Sequence, residues 1–192
     1  MANKKTVALT QEQFQEFVDA MLTGGAGFRP NKRVLAALIL EANLGIRISD
    51  IIQLTPKSFI KDGERYRLNI TEQKTGKKRY FTVPDKVYQF ISEYCESNHI
   101  KADERIFPFT IRNVQKYLAK VADYLDYEYI GTHSFRKFFA TDIFNKSNHN
   151  YILVQKILQH SSVITTQRYI GIGEDEFENA LNNHVVLVEM NR

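Results

Sequence analysis

Leu158-Gln159-His160-Ser161-Ser162-Val163-Ile164-Thr165-Thr166-Gln167-Arg168-Tyr169 is the stretch that organises the rest of the chain. It sets a histidine nine residues before a tyrosine, across a Ser-Ser turn and a threonine-rich helical start. Upstream stands a second short string, His133-Ser134-Phe135-Arg136, and before that Lys74 and Arg47. Arg47, Lys74, His133, Arg136, His160 and Tyr169 together read as one phosphoryl-transfer site scattered through the sequence. A tyrosine hydroxyl has a pKa near ~10, so at neutral pH it attacks only with help from a base or a cation that stabilises the phenolate. One tyrosine near one histidine carries little weight in a chain with 10 tyrosines. The weight comes from the other four residues.

His133 and Arg136 are three apart and share a face if the segment is helical, with Thr132 as the expected cap and the helix amino end aimed at an anion. A guanidinium grips phosphate with a fork that lysine cannot copy, so two arginines can hold both non-bridging oxygens. That grip matters most as the phosphorus becomes five-coordinate. Arg47 sits in Leu44-Gly45-Ile46-Arg47-Ile48-Ser49-Asp50. It either pairs with Asp50 at the surface or faces the phosphate. A leaving 5′ oxygen needs a proton, and a lysine at a hairpin tip is suited to deliver it. Lys74 precedes a Thr75-Gly76 turn, and Lys77, Lys78 and Arg79 follow. Lys74 is the first choice for this role and Lys77 the second. Lys77, Lys78, Arg79 and Lys137 are the expected DNA-backbone contacts, since basic turns commonly touch phosphates.

Around these residues the periodicity is mostly helical. Thr10-Gln11-Glu12-Gln13 is a capping-box start followed by Phe14, Phe17, Val18 and Met21 at helical spacing. Gly24-Gly25-Ala26-Gly27 ends that helix, and it is no phosphate loop, because no Gly-Lys-Ser/Thr follows it. A second helix is expected over residues 31–42, with Val34, Leu35, Leu38 and Ile39 inward, a break at Gly45 and a short restart near Ser49. Phe59-Ile60, residues 66–70 and residues 79–83 read as three short strands joined by Asp62-Gly63 and Thr75-Gly76. Beyond Pro84 come two amphipathic stripes, Val87/Phe90/Ile91/Tyr94 and Ile111/Val114/Leu118/Val121/Leu125. Two further helical stretches carry His133 and residues 153–157.

Composition sets the outer limits. With 192 residues and 43% hydrophobic content the chain suits one packed domain rather than disorder. No apolar run approaches the roughly 20 residues that cross a bilayer, and no signal peptide is visible, so a cytoplasmic protein is expected. One cysteine, Cys95, rules out an internal disulfide and a cysteine-based zinc cluster. The five histidines are dispersed without helical ligand spacing, so neither a metal nor another cofactor is expected. Net charge is only +4, but residues 171–192 hold five acids and one base, leaving 25 bases against 17 acids in the other 170. A basic body suits a DNA-facing surface, and an acidic tail suits a protein contact.

These strings, in this order, resemble the catalytic domain of the tyrosine recombinase (phage integrase) family. The first arginine lies in Gly45-Ile46-Arg47-Ile48-Ser49-Asp50, the lysine in Lys74-Thr75-Gly76-Lys77, the His-x-x-Arg box at His133 to Arg136, and the Leu-Gly-His-Ser box at Leu158-Gln159-His160-Ser161. Thr-Thr-x-x-Tyr then ends on Tyr169. Two positions depart from the pattern: Gln159 stands where glycine is usual, and Lys137 where many members carry a second histidine. Neither removes a reacting group.

The resemblance implies an α+β fold, mostly helical, with a small three-stranded antiparallel sheet carrying Lys74. It implies a site-specific recombinase or integrase that cleaves and rejoins double-stranded DNA through a 3′-phosphotyrosine. Arg47 and Arg136 would hold the phosphate, Lys74 protonate the leaving oxygen, His133 act as base and His160 donate to a non-bridging oxygen. Self-association into a synaptic tetramer on DNA is expected, with a monomer possible without it. The expected organisation is a single catalytic domain over residues 1–192, with 172–192 as a tail able to dock on a neighbouring subunit through a helix at 174–181 and a strand at 185–188. The separate DNA-clamping domain that full-length members carry in front is expected to be absent. Three rivals stand beside this reading: a type IB topoisomerase-like strand transferase, a non-catalytic DNA-binding regulator on the same fold, and a helical protein-interaction module.

Overall fold

Helix α2 (Lys32–Leu44) is apolar almost all round and therefore takes the centre of the molecule. Nine of its residues are buried, including Leu38 and Leu40 on different faces. The computed structural model describes residues 6–171. In it, α1 (Gln11–Thr23) and α6 (Thr132–Lys146) pack on α2, with α5 (Ile111–Tyr124) against α1 and α6 and α4 (Asp85–Ser97) against α2 and the sheet. The start of α1 is the expected capping box: Thr10 Oγ1 accepts the Gln13 amide, and Gln13 Oε1 accepts the Thr10 amide.

At its C-terminus α2 stops on Gly45, which is left-handed at φ +59°. A Cβ there would also lie 2.3 Å from the Phe139 ring, so backbone and packing both require glycine. The chain then turns through buried Ile46 into the short α3 (Ile48–Ile51), with Arg47 at its N-cap. A 3-10 turn leads into an antiparallel sheet in the order β1-β2-β3: β1 (Phe59–Asp62), β2 (Arg65–Thr71) and β3 (Lys78–Val83). Phe59 pairs with Leu68 and Leu68 with Phe81, so one face of the sheet closes on the core.

Two apolar clusters result. The larger holds α1 to α5, the sheet and Phe135 of α6. The smaller is built from Ala140 and Phe144 of α6 with Val154 and Leu158 of α7 (Tyr151–Leu158), and Tyr169 of α8 (Val163–Ile170) packs against it. Arg136 lies on α6 between the residues that serve the two clusters. The fold class expected from sequence is the one observed. The expected tail helix and strand at 174–181 and 185–188 lie outside the described residues.

Candidate active site

The cap of α6 lies one residue earlier than expected. Thr132 is the first helical residue and Gly131 the N-cap, where Ser134 Oγ accepts the Gly131 amide at 3.1 Å. From this start His133 faces a solvent-open cleft, while Arg136, one turn on, is only 1% exposed. Arg136 Nη2 donates to the Leu158 carbonyl at 3.2 Å, and its guanidinium also faces the Tyr169 hydroxyl.

The Leu158 carbonyl is one of four that the end of α7 leaves without an intrahelical donor. All four are answered. The His160 amide takes Gln155 and the Gln159 amide takes Lys156, Arg79 Nη2 takes Ile157 at 2.6 Å, and Arg136 takes Leu158. Two guanidinium groups thus sit at the negative end of the helix, where cations are favoured. Gln159, the C-cap, is left-handed at φ +54°, which explains why glycine is usual there; its amide Nε2 donates to the Lys78 carbonyl of β3 at 3.3 Å.

Arg47 does not pair with Asp50. Its Nη1 lies 2.7 Å from Glu72 Oε2, and Asp50 is buried with its Oδ1 accepting the Gln73 amide. Burial alone would raise the Glu72 carboxyl, but hydrogen bonds from Thr75, Arg47 and Arg79 outweigh it and hold the group below the usual carboxylate range. Lys74, exposed in the loop of residues 72–77, borders the same cleft as Arg47 and His133.

His160 Nδ1 lies 3.0 Å from the hydroxyl of buried Thr166, and its ring meets the Tyr169 ring edge-on at 5.1 Å. Partial burial, then the charges of Arg136 and Arg47, push the His160 pKa down to about 4, so the imidazole is neutral at neutral pH. Desolvation by the cleft wall, followed by Arg136, Arg47 and Lys74, lowers His133 as well. The Tyr169 hydroxyl is buried and faces the Arg136 guanidinium. Burial drives its pKa above the ordinary phenol value against the pull of Arg136.

One cavity of about 950 Å³ is lined by all six residues: Arg47, Lys74, His133, Arg136, His160 and Tyr169. They come from α3, the β2–β3 loop, α6, the α7–α8 turn and α8 of the same chain. Lys77 and Lys78 border an adjoining cavity of about 530 Å³ with Lys156 and, again, His160. Among the described residues no group of three or more His, Cys, Asp or Glu side chains comes together to hold a metal.

Two of the four expected DNA-backbone contacts are placed otherwise. Strand alternation turns Arg79 inward with Val83 while Lys78 and Tyr80 face out, and its guanidinium is taken up by Glu72 and Ile157. Lys137 is 8% exposed; its ammonium donates to the Thr6 carbonyl at 2.6 Å and sits 5.4 Å from the centroid of the Tyr169 ring. Three residues that shape the site carried no sequence signal of their role: Glu41, Glu72 and Arg168, which lines the cavity. Thr166 lay inside the Thr-Thr-x-x-Tyr box without its contact to His160 being read, and Glu72 stands two residues before Lys74.

Residues 8–175, carrying this whole constellation, match the phage integrase family. The chain belongs to that family. Among its phage integrase relatives, the probable integrase/recombinase YoeC of Bacillus subtilis (strain 168) is 36% identical over 152 residues, which cover 76% of this chain and 81% of YoeC. The tyrosine recombinase XerA of Saccharolobus solfataricus is 23% identical over 176 residues, 92% of this chain and 56% of XerA. The fold is that of the XerH recombinase in its post-cleavage complex with a palindromic difH substrate, with a TM-score of 0.72 at 21% identity over 95% of this chain and 54% of XerH. The chain therefore spans most of YoeC but little more than half of these two Xer recombinases. No helix among the described residues is long and apolar enough to cross a membrane.

Proposed function

We propose that this phage integrase family chain cleaves and rejoins DNA strands with Tyr169 as nucleophile. The Tyr169 oxygen bonds to phosphorus, the bond from phosphorus to the 5′ oxygen breaks, and the products are a 3′-phosphotyrosine and a free 5′ hydroxyl. Arg47 and Arg136 hold the non-bridging oxygens. His133, neutral because its pKa is lowered, accepts the phenolic proton, and Lys74 gives one to the departing 5′ oxygen. His160 donates to a non-bridging oxygen through Nε2, its Nδ1 being engaged by Thr166. Attack by the 5′ hydroxyl of a second strand reverses each transfer, so the phosphodiester energy is conserved.

The observation that carries this reading is a buried phenol set against a buried guanidinium at the wall of a cation-rich cavity. The Tyr169 hydroxyl faces Arg136, neither it nor Arg136 Nη1 makes a hydrogen bond of good geometry among the described residues, and both side chains line the cavity. Incomplete hydrogen bonding of a buried polar group costs about 1–3 kcal/mol, which favours a ligand that completes it. A phosphodiester supplies an acceptor to the guanidinium and an electrophile to the phenol.

The enzyme acts where DNA is, in the cytoplasm, and exchange between two duplexes calls for a synaptic tetramer on DNA. Lys77 and Lys78 at the rim hold the neighbouring backbone. Covalent trapping tests the reading. Nicked duplexes randomised around the nick prevent resealing, and SDS-resistant protein–DNA adducts are scored for the native chain and for Tyr169→Phe. An adduct in the native protein and none in the variant is the expected result; an adduct that persists in Tyr169→Phe removes Tyr169 as the nucleophile.

A further inference from the structure

The loop that carries Lys74 is tied down on both sides of that residue. Before it, the Gln73 amide donates to Asp50 Oδ1 at 2.9 Å; after it, the Thr75 hydroxyl donates to Glu72 Oε2 at 2.7 Å. The Glu72 main chain closes the same loop, its N–H donating to the Lys77 carbonyl and its carbonyl accepting the Gly76 amide, both at 2.9 Å. The carboxylate that holds Thr75 also receives Arg47 Nη1 at 2.7 Å and, on its other oxygen, Arg79 Nη1 at 3.1 Å. Arg79 continues the chain of bonds to Ile157, three residues before His160.

We propose that Glu72 is a positioning residue that fixes the Lys74 loop to Arg47, so that the proton donor and the phosphate clamp meet the phosphate as one unit. The inference rests on the reading in which Lys74 protonates the 5′ oxygen and Arg47 holds the phosphate. Lys74 itself is exposed on a long, flexible stem, so its placement depends on where its backbone is held. A shift of about 1 Å in a reacting group can cost roughly 10²-fold in rate. Glu72 is suited to prevent that shift, because its side chain is 1% exposed and three donors converge on its two oxygens.

Two variants test it: Glu72→Gln, and Thr75→Val, which at an exposed residue deletes the hydroxyl that donates to Glu72 and also accepts the Lys77 amide at 3.3 Å, and which decides the matter should Glu72→Gln fail to fold. Amide hydrogen exchange of residues 72–77 is measured first. Cleavage is then compared on a trapped DNA sequence and on the same DNA with sulfur in place of the bridging 5′ oxygen. With sulfur the P–S bond breaks and a thiolate leaves without needing a proton, so the Lys74 step is bypassed. Faster loop exchange in both variants is expected. Cleavage of ordinary DNA should fall about 10-fold in Thr75→Val and about 10²-fold in Glu72→Gln, with the Thr75→Val loss disappearing on sulfur DNA as it does for Lys74→Ala. Unchanged exchange in the folded variants overturns the proposal, and so does a Thr75→Val loss of equal size on both DNAs. Failure of the native chain to cut either DNA would count against the proposed function, while the exchange data would still decide whether Glu72 holds the loop.

Discussion

Glu41 carries a fully buried carboxyl whose Oε1 accepts the Ile48 amide at 3.2 Å, capping the helix that presents Arg47, and whose Oε2 has no partner among the described residues. Burial raises its pKa well above the usual carboxylate value, against the pull of Arg136 and the Ile48 amide. Above the ordinary value the unfolded chain gives up this proton and the folded chain keeps it, so stability falls as pH rises, by up to about 1.4 kcal/mol per pH unit. Gln in the same place has no proton to lose. The Tm of Glu41→Gln relative to the native chain should therefore climb as pH rises above the ordinary carboxylate value; a constant difference would show that Glu41 ionises normally. His160 acts on the acid side with the opposite slope. Its folded pKa of about 4 lies below its ordinary value, so as pH drops between the two the unfolded chain takes up a proton that the folded chain refuses, and stability is lost. The meeting of His160 and Tyr169 at one cavity was legible in the sequence because they lie in short strings of fixed order. Glu41 was not, since a glutamate on a helix is ordinarily solvated and nothing local announces that nine of the thirteen residues of α2 are buried.

Element boundaries came out of local chemistry. Gly45 and the Gly24 turn stop helices as their residue types require, and the three short strands run one or two residues beyond the segments expected. The inward turn of Arg79 was also available in principle, since it alternates with Phe81 and Val83, but its place in a run of bases pointed outward. What no local rule supplies is the joint between α7 and β3, formed by residues about 80 positions apart: Gln159 to the Lys78 carbonyl and Arg79 to the Ile157 carbonyl. Gln159 accepts a left-handed backbone, at a cost of about 1 kcal/mol for a residue with a Cβ, and recovers part of it through that hydrogen bond. Gln159→Ala keeps the strained backbone and loses the bond, so it should be destabilised by about 1 kcal/mol in denaturant melts. Gln159→Gly loses the bond and the strain together and should stay near the native value. If the two variants were equally destabilised, backbone strain at this position would be excluded as the reason that glycine is usual there.

At the scale of the whole molecule, the six site residues come from five elements, and α6 spans the two apolar clusters whose packing brings them together. The charges divide by the same geometry. Arg79 is buried and serves the fold from within, whereas Lys77 and Lys78 stand outside at the rim of the adjoining cavity. The net positive charge of the body therefore overstates the surface that DNA meets. Binding of a polyanion releases counterions in proportion to the phosphates neutralised, so surface and interior bases separate cleanly in a salt titration. Lys77→Ala should leave the melting temperature unchanged and reduce the slope of log K against log salt by about 1. Arg79→Ala should leave that slope unchanged but cost about 3 kcal/mol of stability, because Glu72 then keeps a buried charge with one arginine fewer. Fluorescence anisotropy on a generic duplex across a salt series, paired with thermal melts, reads both quantities on the same samples. A slope that dropped for Arg79→Ala in a fully folded protein would put that guanidinium on the DNA and contradict the inward placement derived from β3.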